Sequence, residues 1–494
     1  MEPYAYAAAI EKYYSLSATF AIAQGEYLPD FSRYHPNHPL GHILAGVAFD
    51  SLRVPALYFL RCVNILSALA AGFFLYLISR QIRLSSSGAG LVSGLFLGTH
   101  AGLLSVFSGE WHIPAIALSL AGLWQAICHI QNGSRRSLYL TSLLFAMAVC
   151  YHMAALSIVV PVAVVIFFLH PLRGRWRALL IAGSIGSTLI CLMYFVLPFF
   201  IFRFESISNF LGTFLIYKHL SHVRYAGIDW VTVAGQTAFN AFAITPQKLN
   251  YQNIFTGFFF LTVALSMWQF FRSHIQISLR ILVLTILIWW PVAQALFDAR
   301  ADGMNGWIFL LPFLCLIIIK GICGLHTHAI RFAALLAALV FTWNTAQAIL
   351  PNSFYKQNDI FLFDLPQNIP KTTPIAFVLS NPVLTMSDIW YAGSRLGYRN
   401  QADFFPCCGE ADYVFRLRRW LRANPGAIIV SDGIPEATEV LLFRERLNYV
   451  RWRDRSVSWP ATLLPATIFV RREPDYRYYK RMTIWLPAER MPIQ

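Results

Sequence analysis

The sequence predicts an α-helical polytopic membrane protein followed by a small soluble α/β region. Three observations predict it. Of the 494 residues, 57% are hydrophobic and only 13% are charged, more apolar surface than a soluble chain of this length can hide. Apolar stretches close to the 20 or so residues that cross a hydrocarbon core recur as far as residue 350 and then stop. The arginines fall in alternate short loops between those stretches, as on the cytoplasmic side of a membrane. The net charge of +15 therefore reflects loop placement. The partner it implies is the lipid bilayer, and no nucleic acid.

Residues 2–30 mix Glu2, Glu11, Glu26 and Asp30 with Tyr4, Tyr6, Tyr13, Tyr14 and Tyr27. This is too polar to span and suits a helix lying in the interface. Residues 34–42, Tyr-His-Pro-Asn-His-Pro-Leu-Gly-His, place three imidazoles around two prolines. Pro36 and Pro39 bias the residue before each away from the helix, which predicts an extended or turned loop. After Pro39 the chain turns apolar, as at a first helical turn, and residues 40–51 form a short apolar piece.

Ten spans follow: residues 54–79, 88–107, 112–130, 138–151, 153–169, 178–202, 254–271, 281–297, 307–322 and 332–350. A long mixed segment, 203–253, interrupts them. The two spans flanking Tyr151-His152 are short, as tilted or broken helices are. Arg80 with Arg83, Arg135 with Arg136, Arg173 with Arg175 and Arg177, Arg272 with Arg280, and Lys320 with Arg331 occupy alternate loops, which are the cytoplasmic ones. The opposite face then holds both termini, the His35 loop, Glu110, the 203–253 segment and the Arg300 loop. An N-terminus on that side without a signal sequence points to one further span upstream of Met1, although a short N-terminus also translocates unaided.

Beyond Pro351 the pattern is α/β. Residues 374–379 and 427–430 read as buried strands, 435–446 as a helix and 466–470 as another strand. No nucleotide-binding glycine pattern accompanies them. The expected domains are thus residues 1–350 in the membrane and 351–494 as an extracytoplasmic α/β domain. Six of the eight cysteines lie in or beside apolar segments, as small packing residues. Cys407 and Cys408 are adjacent, and the spacings offer neither a disulfide nor a metal framework.

Glu110, in Phe107-Ser108-Gly109-Glu110-Trp111-His112, marks the joint between two spans on the outer face. A carboxylate at a membrane boundary is costly unless paired, hydrated or functional. By the arginine count Glu2, His35 and His38 share its side. A cavity lined by carboxylates and imidazoles can deprotonate a hydroxyl and hold a divalent cation. His152, between two apolar spans, reads as a packing or hydrogen-bonding residue.

Glu2-Pro3-Tyr4-Ala5-Tyr6, then residues 34–40, then Arg61-Cys62-Val63-Asn64 opening a span, then Gly109-Glu110-Trp111-His112, then Tyr151-His152-Met153, together resemble the GT-C class of membrane glycosyltransferases. Protein O-mannosyltransferases and their bacterial relatives are the most similar. The resemblance covers about the first third of the chain. It departs where Glu2 stands for the usual aspartate, Asn37 for a proline, and no first span precedes Glu2.

The resemblance implies transfer of a hexose or pentose from a polyprenyl-phosphate donor to a glycan, lipid or protein acceptor. The reaction would be an inverting displacement on the extracytoplasmic face. It implies Glu2 as the base, with Glu110 binding acceptor or metal or sharing that role, and a metal ion needed in some members only. Substrate-binding candidates are His35, His38, His112, Arg300, Arg224 and Lys218. Arginine suits a phosphate because its donors match the oxygens bidentately. Two other classes stay open: a polytopic transporter or lipid flippase, whose acids would relay protons, and a non-catalytic assembly protein that keeps the fold. The absence of an obvious internal repeat and the large C-terminal region weigh against transport.

Overall fold

Inside a membrane a backbone must satisfy its own hydrogen bonds, so the apolar stretches form helices. The computed structural model describes residues 39–52, 56–107, 112–169, 175–196, 238–239, 241–243, 252–273, 275–297, 307–324, 329–346, 373–379, 402–406, 413–432, 442–444, 447–455 and 482–488. By packing, the described residues divide into two units, those up to Leu350 and those from Pro351 onward.

The described helices of the first unit are α1 (Pro39–Leu52), α2 (Ala56–Gln81), α3 (Ser86–Gly98), α4 (His100–Phe107), α5 (His112–Asn132), α6 (Arg135–Tyr151), α7 (Leu156–Leu169), α8 (Arg175–Cys191), α9 (Gln252–Arg272), α10 (Ile277–Phe297), α11 (Leu311–Cys323) and α12 (Ala329–Asn344). Among the described residues three stretches are long and apolar enough to cross a bilayer alone: Tyr58–Gln81, His112–Asn132 and Trp176–Val196. The centre is α5 and α11. Every residue from Leu311 to Ile319 is buried, as befits a helix apolar on all sides. The periphery inverts the soluble rule. Leu66, Leu69 and Phe73 on α2, Trp176 and Leu180 on α8, Phe258 and Leu265 on α9, and Phe332 and Leu335 on α12 are exposed. Apolar surface this continuous faces lipid, and the chain is an integral membrane protein.

Lipid gives helices no hydrophobic reason to associate, so close packing must do it. A Cβ added to Gly122 on α5 would come 2.6 Å from the Phe145 ring on α6, and one added to Gly321 on α11 would come 2.6 Å from Ser266 Cα on α9. The Ser142 hydroxyl on α6 donates to the Ala182 carbonyl on α8.

The arginine-bearing ends are closed by tight turns. After α2, Leu84 N–H donates to Ser79 O and Arg83 N–H to Arg80 O, at 3.3 and 3.1 Å. This is a Schellman turn with Arg83 in the left-handed position at φ 61°. After α5, Gly133 at φ 67° donates to His129 O, and the missing Cβ makes that conformation free of strain. His129 Nδ1 lies 2.7 Å from Ser134 O, so that nitrogen carries the proton. Gln131 Nε2 donates to Gln81 Oε1 at 3.1 Å and to Gln276 Oε1 at 3.4 Å. The ends of α2 and α5 and the start of α10 therefore meet, which brings Arg80, Arg83, Arg135 and Arg280 to one end of the unit.

The span expected at 88–107 is two helices. Thr99 leaves the helix at φ −64°, ψ 156°. Its hydroxyl donates to Phe96 O at 2.7 Å and accepts from Gly102 N–H at 3.1 Å. A Cβ on Gly102 would stand 2.5 Å from Phe96 O, so the break needs glycine there. Asn344, fully buried at the end of α12, donates to Gly98 O at 2.9 Å and to Phe242 O at 3.0 Å. The carbonyl freed by the break is thus satisfied from another helix. α8 likewise ends in a wide π turn, Leu192–Val196, whose Tyr194 hydroxyl donates to Val149 O on α6 at 2.8 Å.

Among its described residues the second unit holds a five-stranded mixed sheet in the order β2-β1-β3-β5-β4. Its strands are β1 (Ile375–Leu379), β2 (Ala402–Pro406), β3 (Ile428–Asp432), β4 (Tyr449–Arg455) and β5 (Met482–Pro487). β1 pairs parallel with β2 and β3, while β5 runs antiparallel to β3 and β4. One helix, α13 (Tyr413–Ala423), connects β2 to β3. Ala376, Val378, Phe405, Leu417, Ile429, Phe443 and Trp485 form the core, and the Trp485 indole donates to Ser431 Oγ at 3.3 Å. Of the helix expected at 435–446, the described part is a single wide turn at 442–444, and the strand expected at 466–470 lies outside the described residues.

Candidate active site

At the end opposite the arginines, three elements converge. α5 begins there at His112, two residues after Glu110. Pro114 is tolerated in its first turn because no intrahelical donor is needed there. α6 ends there at Tyr151, and His152 adopts an extended backbone at φ −159°, ψ 122°. Its N–H donates to Ala148 O at 2.9 Å. Its Nδ1 accepts from Ala154 N–H at 3.1 Å, capping the 3₁₀ turn Met153–Ala155 that opens α7. The third element is residues 307–310, leading into α11, and all four side chains are buried.

The His112 and His152 rings are stacked, with centroids 4.2 Å apart and planes tilted by 35°. Phe309 closes the cluster at 6.2 Å from His112 and 5.7 Å from His152. Both imidazoles are buried. Because Nδ1 of His152 accepts a hydrogen bond it carries no proton, and the neutral ring holds its proton on Nε2.

A second polar link serves the same end. Asn64, fully buried on α2, donates to Ser105 O on α4 at 3.0 Å. Ser105 is among the last four carbonyls of α4, which lack intrahelical donors. Of the Arg61-x-x-Asn64 element, then, the asparagine fastens the helix that leads to Glu110. Arg61, one turn away, is exposed.

Of the expected site residues, His112 is the one the structure places: buried, at the start of α5, stacked on His152. Glu2, His35, His38, Glu110, Lys218, Arg224 and Arg300 lie outside the described residues, as do Arg203, His219 and His222. His152 both packs and hydrogen-bonds. Its partner in that packing was not legible from spacing, because 40 positions of chain separate it from His112. Phe309 carried no signal beyond opening a span. Among the described residues no group of three or more His, Cys, Asp or Glu could hold a metal.

The fold of this helical bundle, with its broken spans, a polar cluster at one end and a separate α/β unit, is GT-C-like. That assignment rests on two solved structures. ArnT from Cupriavidus metallidurans bound to undecaprenyl phosphate superposes with a TM-score of 0.59 at 11% identity, covering 98% of this chain and 94% of that one. The same protein in the apo state gives 0.61 at 12% identity, over 100% and 95%. No family model matches the sequence, and no curated protein matches it.

Proposed function

We propose that this chain is a membrane glycosyltransferase that moves a sugar from a polyprenyl-phosphate donor to an acceptor hydroxyl on the extracytoplasmic face. The observation that carries the reading is the likeness, over nearly the whole of both chains, to ArnT in a structure holding undecaprenyl phosphate. The convergence of α5, the His152 turn and the start of α11 adds to it. Their sequence neighbours are Glu110 and the Arg300 loop, the acid and the cation such a reaction needs.

In this reading Glu2, with Glu110 binding the acceptor or a metal or sharing the role of base, takes the proton of the acceptor hydroxyl as its oxygen bonds to the anomeric carbon. The bond from that carbon to the phosphate oxygen breaks, and the electron pair leaves with the polyprenyl phosphate. General-base help of this kind is worth about 10²–10⁴-fold. Arg300, with Arg224 and Lys218, neutralises the phosphate, where a charge-assisted contact is worth about 1.5–3 kcal/mol. His35, His38 and His112 line the same cavity, and the His112–His152 stack anchors the chain on which Glu110 is carried.

The test needs no knowledge of the sugar, because polyprenyl phosphate is released whichever sugar leaves. The full chain in lipid nanodiscs is given undecaprenyl-phosphate sugars and membrane extract as acceptor source, and free undecaprenyl phosphate is counted. Glu110→Gln should abolish release, and Arg300→Ala should weaken undecaprenyl-phosphate binding about 10- to 100-fold. Full release by the Glu110→Gln protein, or no binding of undecaprenyl phosphate by the parent, would sink the proposal.

A further inference from the structure

The helix of the second unit shows two unlike faces. Leu417 is fully buried in the core, and Val414, Trp420 and Leu421 pack around it. The Trp420 ring meets Phe405 with centroids 5.9 Å apart. The other face carries Phe415, Arg416, Arg419 and Arg422, all exposed. At about 100° per residue these four fall within an arc of about 120°, with Phe415 flanked by Arg419 and Arg422. Phe415 is 71% exposed. The 11-residue helix holds four arginines and no acid.

We infer that this face of α13 lies on the bilayer, with Arg419 and Arg422 on anionic phospholipid headgroups and Phe415 inserted between them. The charge is complementary to such a surface, and guanidinium groups match phosphate oxygens bidentately. An aromatic in the midst of the cations favours a surface that is apolar beneath its charge. A bilayer offers that and a dissolved polyanion does not. A free helix of this length would bind weakly. The chain is already an integral membrane protein, so the helix is tethered near the surface and its effective concentration there is high. Each arginine near an anionic leaflet multiplies association about fivefold. This inference needs only the membrane location, not the sugar-transfer reading.

The experiment places p-benzoylphenylalanine at position 415 in the full chain. The protein is reconstituted in discs of phosphatidylcholine alone or with added phosphatidylglycerol, and irradiated. The expected result is a phospholipid adduct at residue 415 in the anionic discs, weak in the neutral ones. In an Arg419→Ala/Arg422→Ala background, association should fall about 30-fold, and the adduct with it. A second probe at Ala423, exposed on the same face, guards against local distortion by the first. Adducts to protein or glycan instead of lipid, no adduct at either position, or a yield indifferent to lipid charge would overturn the inference.

Discussion

Asn344 offers the sharpest test of how the membrane unit holds its broken span. Its amide donates at 2.9 and 3.0 Å to carbonyls from two other segments, Gly98 and Phe242, and it is fully buried. Asn344→Leu keeps the branch at Cγ and removes both donors. Inter-helix hydrogen bonds in membranes average about 0.6 kcal/mol and reach about 1.7, so losing two costs about 1–3 kcal/mol. Asn344→Asp keeps the shape but aims lone pairs at two carbonyls, and should cost more than leucine. Equilibrium unfolding in mixed micelles reads the total. Amide exchange over residues 98–107 reads where it acts, because Gly98 ends α3 and the next turn belongs to α4. Both variants as stable as the parent, with unchanged exchange in that stretch, would refute the claim that Asn344 secures the break.

Asn64→Leu should cost about 1 kcal/mol in the same unfolding assay and lower turnover, since it frees the end of α4 before Glu110; unaltered turnover with the stability loss would separate the two roles. His152→Asn should keep the cap on Ala154 N–H while His152→Leu loses about 1 kcal/mol, seen as a gap in unfolding midpoint between the two. Gly321→Val should cost about 1–3 kcal/mol by forcing α11 away from α9. Gly90→Ala, where an added Cβ meets nothing within 4 Å, should be neutral or gain up to about 1 kcal/mol; equal losses at both glycines would mean that helix contact is not the cause.

What was legible in the sequence follows from how each element buries itself. The spans could be read because lipid demands unbroken apolar length, as in Leu311–Ile319. The break at Thr99 could not, since threonine and glycine are common inside membrane helices and the residue that satisfies it lies far along the chain. β1 and β3 were readable because they are central in the sheet and apolar on both faces. β4 was missed: at the edge of the sheet among the described residues, Tyr-Val-Arg-Trp-Arg-Asp-Arg needs no apolar alternation. The helix Tyr413–Ala423 was missed because its four arginines break up the short apolar stripe of Val414, Leu417, Trp420 and Leu421. At the site, the order of motifs along the first third pointed to the GT-C fold, and adjacency to Glu110 singled out His112. The stacking of His152 on it is a meeting of two loops, which no local pattern encodes.

The broken span also sets a schedule for synthesis. Asn344 stands 246 positions after Gly98. At about 5–20 residues per second, about 12–50 s pass between the emergence of that carbonyl and of the amide that donates to it. For that interval α3 and α4 sit in the membrane with an interrupted backbone, and water or the insertion machinery must serve in place of the last helix. A chain stopped anywhere before residue 344 keeps this defect permanently. Truncated forms should therefore be cleared by membrane quality control even when nine-tenths of the unit has been made.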